Sequence, residues 1–494
     1  MKLTCENVIQ LDGATLTPGA VARVARTRVP VQLTAQARRR NAQARGTIFA
    51  LLESGHPLYG ANTGVGALCD RSVATEERET FQWNLLRSHA VDAGPPMPEE
   101  VVRAAMVVRA NQLGAGGAGV ADVLLDGLVA ALGRRTPVVR ELGSLGTGDL
   151  TGLARIALGV LESAGARGPG APPGLIGLRD GLGFMSSNAV TAGRACLLLY
   201  DARRLHDLCL SVAALSFEAV ASDPVVLAGR VQRARSSPAQ IAVAARMREL
   251  LGVTDSRSPP GGDHSEPPQI HPQQVPYPFR VLPQVEGVFA GALTALEDVL
   301  SRELNARTEN ALIDEGRPWP NGNFHAAELA SALDAARAAL AGSASLIAAR
   351  LSSLLDPRVT DLVPFLAGVP GLDCGLMMLE YTAHDAASEA RSRAAPAGGQ
   401  SAWVSLGIES HASLAAGSAR QLGEQLEDLR VLIASELLAA MRAFELSGRR
   451  PQGPGTVPLY HAAAAALPTG PHDRDFGADV QAVLEFLTRT SGST

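Results

Sequence analysis

The 494-residue sequence predicts a mostly α-helical fold, and three observations carry that prediction. Apolar residues recur in alternating steps of three and four, the spacing that lines one face of a helix. Period-two alternation, the mark of a half-buried strand, is rare. Aromatic residues make up only 4% of the chain while Ala and Leu abound, a composition that lets helices pack closely.

By this criterion residues 99–113, 149–163, 188–217, 239–251 and 324–355 read as helices. Leu293, Leu296, Leu300 and Leu304 continue the pattern into Glu303-Leu304-Asn305. The clearest case runs through Leu422, Leu426, Leu429, Ile433, Leu437, Ala440 and Phe444, and stops near Ser447-Gly448. Residues 254–278 are dense in Pro, Ser, Gly and His and read as an extended loop; residues 448–458 read as a Gly/Pro hinge. The expected plan is an N-terminal region (1–200), a central long-helix bundle (201–447) and a C-terminal helical tail (448–494).

Composition excludes several function classes. A net charge of -5 offers no basic field for nucleic acid or an anionic membrane surface. Lys2 is the only lysine, so pyridoxal-phosphate and Schiff-base chemistry lack their amine. Cys5, Cys69, Cys196, Cys209 and Cys374 are scattered, with neither a disulfide framework nor metal-ligand spacing, and the ten histidines contain no HExxH. No metal is expected. The N-terminus shows no apolar signal core and no uninterrupted apolar run approaches spanning length, so a cytoplasmic protein is the expectation. Gly114–Gly119 formally fits GxGxxG but follows a helical pattern rather than a strand, which argues against a nucleotide site.

The most informative stretch is Gly143-Ser144-Leu145-Gly146-Thr147-Gly148-Asp149-Leu150. With it come Tyr59-Gly60-Ala61-Asn62-Thr63-Gly64-Val65-Gly66, Asn84–His89, Val108–Asn111, Gln274–Arg280, Pro283-Gln284-Val285, Thr308-Glu309-Asn310 and Gly322-Asn323-Phe324-His325. In this order the blocks resemble those of the histidine and aromatic amino acid ammonia-lyases, over nearly the whole chain. The resemblance implies an elongated central helical bundle of the ammonia-lyase/fumarase-like type, a homotetramer with sites built from three subunits, and a small-molecule substrate. It also implies roles. Tyr59 matches the loop tyrosine that removes the substrate's β-proton, and Gly60, Gly64 and Gly66 give its loop freedom to close. Arg280 matches the arginine that grips the substrate carboxylate, a task suited to a planar bidentate donor. Tyr277, Gln274, Asn323 and Phe324 match pocket-lining positions, and His89 a side-chain-selecting one.

The family's electrophile, methylidene-imidazolone (MIO), forms when an Ala-Ser-Gly segment cyclises and loses two waters. Here the segment is one residue short. Either Ala-Ser has collapsed to Thr147, or the gap lies upstream and the triad reads Gly146-Thr147-Gly148. A threonine would leave an ethylidene, more crowded at the carbon the amine attacks, and the tight turn is expected to resist compression. The family's Asn-Gly-Thr block reads Ser186-Ser187-Asn188, which replaces an asparagine that binds the MIO oxygen by Ser186. Its Gln-Glu-Asp-His block reads Gln400-Ser401-Ala402-Trp403, which replaces the glutamate near the amine by Ser401. Asp149 is expected to cap the helix starting at Leu150.

Three losses on the amine side, with Tyr59 and Arg280 kept, predict an enzyme without MIO or any other cofactor. It would work by acid/base catalysis through an enolate (elimination, conjugate addition or cyclisation) on a carbonyl-containing metabolite, plausibly in specialised metabolism. Two alternatives stand beside this: an ammonia-lyase or aminomutase for an aromatic amino acid or histidine with a variant MIO from Gly146-Thr147-Gly148, and a non-catalytic binding or structural subunit.

Overall fold

The structure is a computed structural model that describes residues 8–165, 174–254, 275–470 and 472–491. Helix accounts for 63% and strand for 6%, as the apolar spacing predicts. Gln274, Cys5 and residues 255–274 of the predicted loop lie outside the described residues. Residues at that loop's end form the short helix Tyr277–Arg280.

The predicted helices are Glu99–Ala115, Leu150–Ser163, Ala189–Ala219, Pro238–Leu251 and Ala327–Leu355. The last begins three residues later than its apolar pattern, because the amide of Ala326 is turned outward to the carbonyl of Gly146 at 3.1 Å. The Leu422 pattern belongs to Ala415–Ser447, which stops where Gly448 adopts φ +67°. The predicted 448–458 hinge is shorter than expected, since the helix Thr456–Ala466 starts inside it.

Two compact units make up the chain. The first comprises residues 1–200, 295–334 and 396–420; the second comprises 201–294, 335–395 and 421–494. At the centre of the first unit lies Glu99–Ala115, buried continuously from Val101 to Ala115. A helix apolar on every side must be enclosed by others; Pro18–Thr27 and Ala35–Glu53 pack on it. Both are started by a threonine, Thr17 and Thr34, whose hydroxyl accepts an orphan amide of the first turn. Ala189–Ala219 comes still closer: a Cβ on Gly193 would lie 2.7 Å from the backbone of Ala104, so only glycine permits that crossing. Three short strand pairs, Ile9–Leu11 with Val31–Leu33, Ala93–Pro96 with Arg140–Leu142, and Leu312–Asp314 with Arg317–Trp319, trim its edges.

In the second unit helical stretches meet around buried charge. Arg350 gives Glu436 two hydrogen bonds of 2.8 Å, and Ser343 donates to Glu286 at 2.9 Å. His206 Nε2 lies 3.3 Å from the same carboxylate. Burial alone would push Glu286 up, but His206, Arg350 and Ser343 outweigh it and hold the group below the usual carboxylate range. Its stability contribution is therefore present above the unfolded value of about 4.3 and is lost as pH falls through the lower folded value. Among the described residues Ala327–Leu355 is the one helix long and apolar enough to cross a membrane by length and composition, although charged residues interrupt its sequence; 67% of its apolar window is buried inside the protein.

Replacing Arg350 by Met should cost about 3–5 kcal/mol in urea unfolding, because it strands two buried carboxylates. Ser343→Ala should cost less, about 1.5–3 kcal/mol for one hydrogen bond to a charged group. Equal costs would show that charge pairing is not what the network contributes.

Candidate active site

The Gly146-Thr147-Gly148 turn is held by its backbone. Gly146 and Gly148 adopt φ +80° and +97°. A Cβ on Gly146 would lie 2.0 Å from Ser413 Oγ, so the position has neither the space nor the conformation for alanine. The Gly146 carbonyl accepts from Ser413 Oγ at 3.0 Å and from the Ala326 amide at 3.1 Å. The Gly148 amide donates to Asn188 Oδ1 at 3.2 Å, and Asn188 Nδ2 donates to the Phe324 carbonyl at 2.8 Å. Next to the triad, the Leu145 carbonyl accepts from the Leu414 amide at 2.8 Å.

Helix geometry explains this convergence. Asp149, Asn188, Ala326 and Leu414 each immediately precede a helix: Leu150–Ser163, Ala189–Ala219, Ala327–Leu355 and Ala415–Ser447. Four helix N-termini thus open around one turn, and their unpaired amides and partial positive charge favour a polarised carbonyl or an anion. Asp149 does not cap the helix that follows it. Its buried carboxylate accepts from Thr191 N at 2.7 Å and Thr191 Oγ1 at 2.9 Å, so it caps Ala189–Ala219, and it accepts from Ser144 Oγ at 2.5 Å. Burial raises its pKa above the ordinary aspartate value against those three hydrogen bonds.

The Thr147 side chain points elsewhere, donating to Glu409 Oε2 at 2.9 Å. Glu409 closes a tight loop by pairing with Val404, whose amide donates to the Glu409 carbonyl at 2.9 Å. This loop abuts the tyrosine loop, since a Cβ on Gly66 would meet Ser405 Oγ at 3.0 Å. Tyr59 is half-buried there, and its phenol oxygen accepts from the Gly66 amide at 2.8 Å. Below it, fully buried Arg179 donates from Nε to the Tyr59 carbonyl at 3.0 Å and from Nη2 to the Asn310 carbonyl. Burial lowers Arg179 to about 10, offset in part by Glu309 and Tyr59. Glu309 in turn accepts from buried Arg109 at 3.2 Å. On the other flank of the triad His325 Nε2 and His411 Nδ1 lie 3.0 Å apart.

Residues 16–465 match the family described as aromatic amino acid lyase. The chain belongs to that family. The histidine ammonia-lyase of Caldanaerobacter subterraneus subsp. tengcongensis is 32% identical, covering 97% of this chain and 96% of its own. Among solved structures, the ergothionase of Treponema denticola, in complex with desmethyl-ergothioneine sulfonic acid, superposes with a TM-score of 0.88 at 25% identity, over 98% of this chain and 99% of its own. A tyrosine aminomutase from Streptomyces globisporus gives 0.88 at 28% identity, over 98% and 97%.

Within this lyase-family chain, the first unit brings together Tyr59, the triad and Phe324, while other expected residues have structural duties. Ser186 Oγ accepts from the Asn310 amide at 3.2 Å, and Asn188, two positions on, is the asparagine that reaches the triad. Ser401 accepts from the Ala412 amide at 3.3 Å. His89 ends a helix with Nδ1 2.8 Å from the Leu85 carbonyl. Asn323 is exposed, and its amide donates to Asn321 Oδ1 in a turn. Tyr277 and Arg280 belong to the second unit, where the guanidinium lies 5.1 Å from the ring centroid of a 65% exposed Tyr277.

Sequence reasoning missed Asn188, Arg179, Ser413, Glu409 and Glu303. Glu303 is raised to about 7, first by burial and then by the charges of Asp149 and Glu328, with a hydrogen bond to Asn188 offsetting part of this. Its folded value lies above its unfolded one, so the folded state loses stability as pH rises from about 4.3 through 7. Glu303→Gln should flatten that loss. Melting curves between pH 5 and 8 check it, and an unchanged pH slope would remove Glu303 from the titration.

Proposed function

We propose that the chain is an ammonia-lyase or aminomutase whose electrophile is built from Gly146-Thr147-Gly148, with an aromatic amino acid or histidine as substrate. The observation that carries this reading is the set of contacts on the triad. Ring closure needs a polarised Gly146 carbonyl, and Ser413 Oγ and the Ala326 amide both donate to it. Closure also needs the Gly148 nitrogen oriented and able to lose its proton, and its N–H points at Asn188 Oδ1. The residues present fit the group. The relatives named above, a histidine ammonia-lyase and a tyrosine aminomutase, support the same class.

When formed, the ring supplies an electrophilic carbon for the substrate amine; Thr147 in place of serine leaves a methyl on it. The chain's own residues do the rest. Tyr59 would take the β-proton, in a loop pinned from beneath by Arg179. The four helix starts would stabilise negative charge developing on the substrate. Arg280 would bind its carboxylate, in a homotetramer that completes each site. A second reading, enolate chemistry without the ring, draws on one observation: Ser401 offers no carboxylate where the resemblance places the amine's partner.

Intact mass of the purified protein decides between them. A deficit of two waters mapping to the peptide around Thr147 is expected; an unmodified mass would leave the ring-free reading. Tyr59→Phe should keep the deficit while lowering kcat by at least about a hundredfold, the scale of one general base. Full turnover by this variant would remove the tyrosine from the mechanism.

A further inference from the structure

We infer that Glu409 is the proton-transfer group that dehydrates Thr147 during formation of the electrophile. This rests on the reading above that Gly146-Thr147-Gly148 cyclises. Glu409 is the carboxylate that touches the hydroxyl to be lost, accepting from Thr147 Oγ1 at 2.9 Å. Its carboxylate is half-buried, and the backbone pair with Val404 closes the loop that carries it.

The two dehydrations use different groups. In the first, the Gly148 nitrogen bonds to the Gly146 carbonyl carbon. The carbonyl oxygen leaves as water with the protons of the Gly148 and Thr147 amides, and the donors on that oxygen are Ser413 and Ala326. In the second, the Thr147 Cα–H and Cβ–Oγ1 bonds break and a carbon–carbon double bond forms. The Glu409 carboxylate takes the Cα proton and delivers it to the departing hydroxyl, so one water leaves and the carboxylate is regenerated. Neither Ser413 nor Asn188 hydrogen-bonds Oγ1, whose partner is Glu409, so the steps are separable by mutation.

The test is intact mass with peptide mapping on full-length wild type, Glu409→Gln and Glu409→Asp, each checked for an unchanged melting curve. Wild type short by two waters, Glu409→Gln short by one, and Glu409→Asp short by two again would establish the assignment. Glu409→Gln short by two would overturn it and leave the cyclisation reading intact. Glu409→Gln short by none would equally overturn it, by placing the residue in ring closure. Wild type with unmodified mass would overturn the cyclisation reading and this inference together.

Discussion

The carbonyl of Gly146 is the point on which the candidate site depends. Its two donors arrive from far along the chain, Ser413 Oγ from 267 residues away and the Ala326 amide from the start of another helix. Both donors are available because they sit at helix starts, where amides and capping groups have no partner within the helix. The turn thus ties together the starts of several helices.

A second constraint lies beneath the tyrosine loop. Arg109 and Arg179 are both buried, with Glu309 between their charges. Burial is unfavourable for each ion singly, so the group holds only while all are present and hydrogen-bonded. Burial raises Glu309 and lowers both arginines, the direction desolvation demands in each case. Arg179 converts that buried charge into backbone position by holding the Tyr59 carbonyl.

The helical architecture was legible because its cause is local. Residues such as Leu422, Leu426 and Leu429 face one core, and their spacing states it directly. The triad and the tyrosine loop were legible from their glycine-rich order. Their partners were not. Asn188 stands two positions after the place where the resemblance puts an asparagine, and that offset hides it from block matching. Glu409 reaches Thr147 across 262 residues, and no periodicity or spacing encodes such a contact. Asp149 shows the limit of a local rule: it stands where a helix cap belongs, yet its side chain caps a helix that starts 40 residues later. Tertiary geometry chose among the amides within its reach.

Because the turn is gripped through the main chain at Leu145, Gly146 and Gly148, the side chain between the two glycines carries none of that hold. Its one hydrogen-bonding partner among the described residues is a loop carboxylate. Residue 147 is therefore mechanically decoupled from the scaffold around it. A substitution at residue 147 can change the group presented there while the main-chain grip on the four helix starts stays as it is.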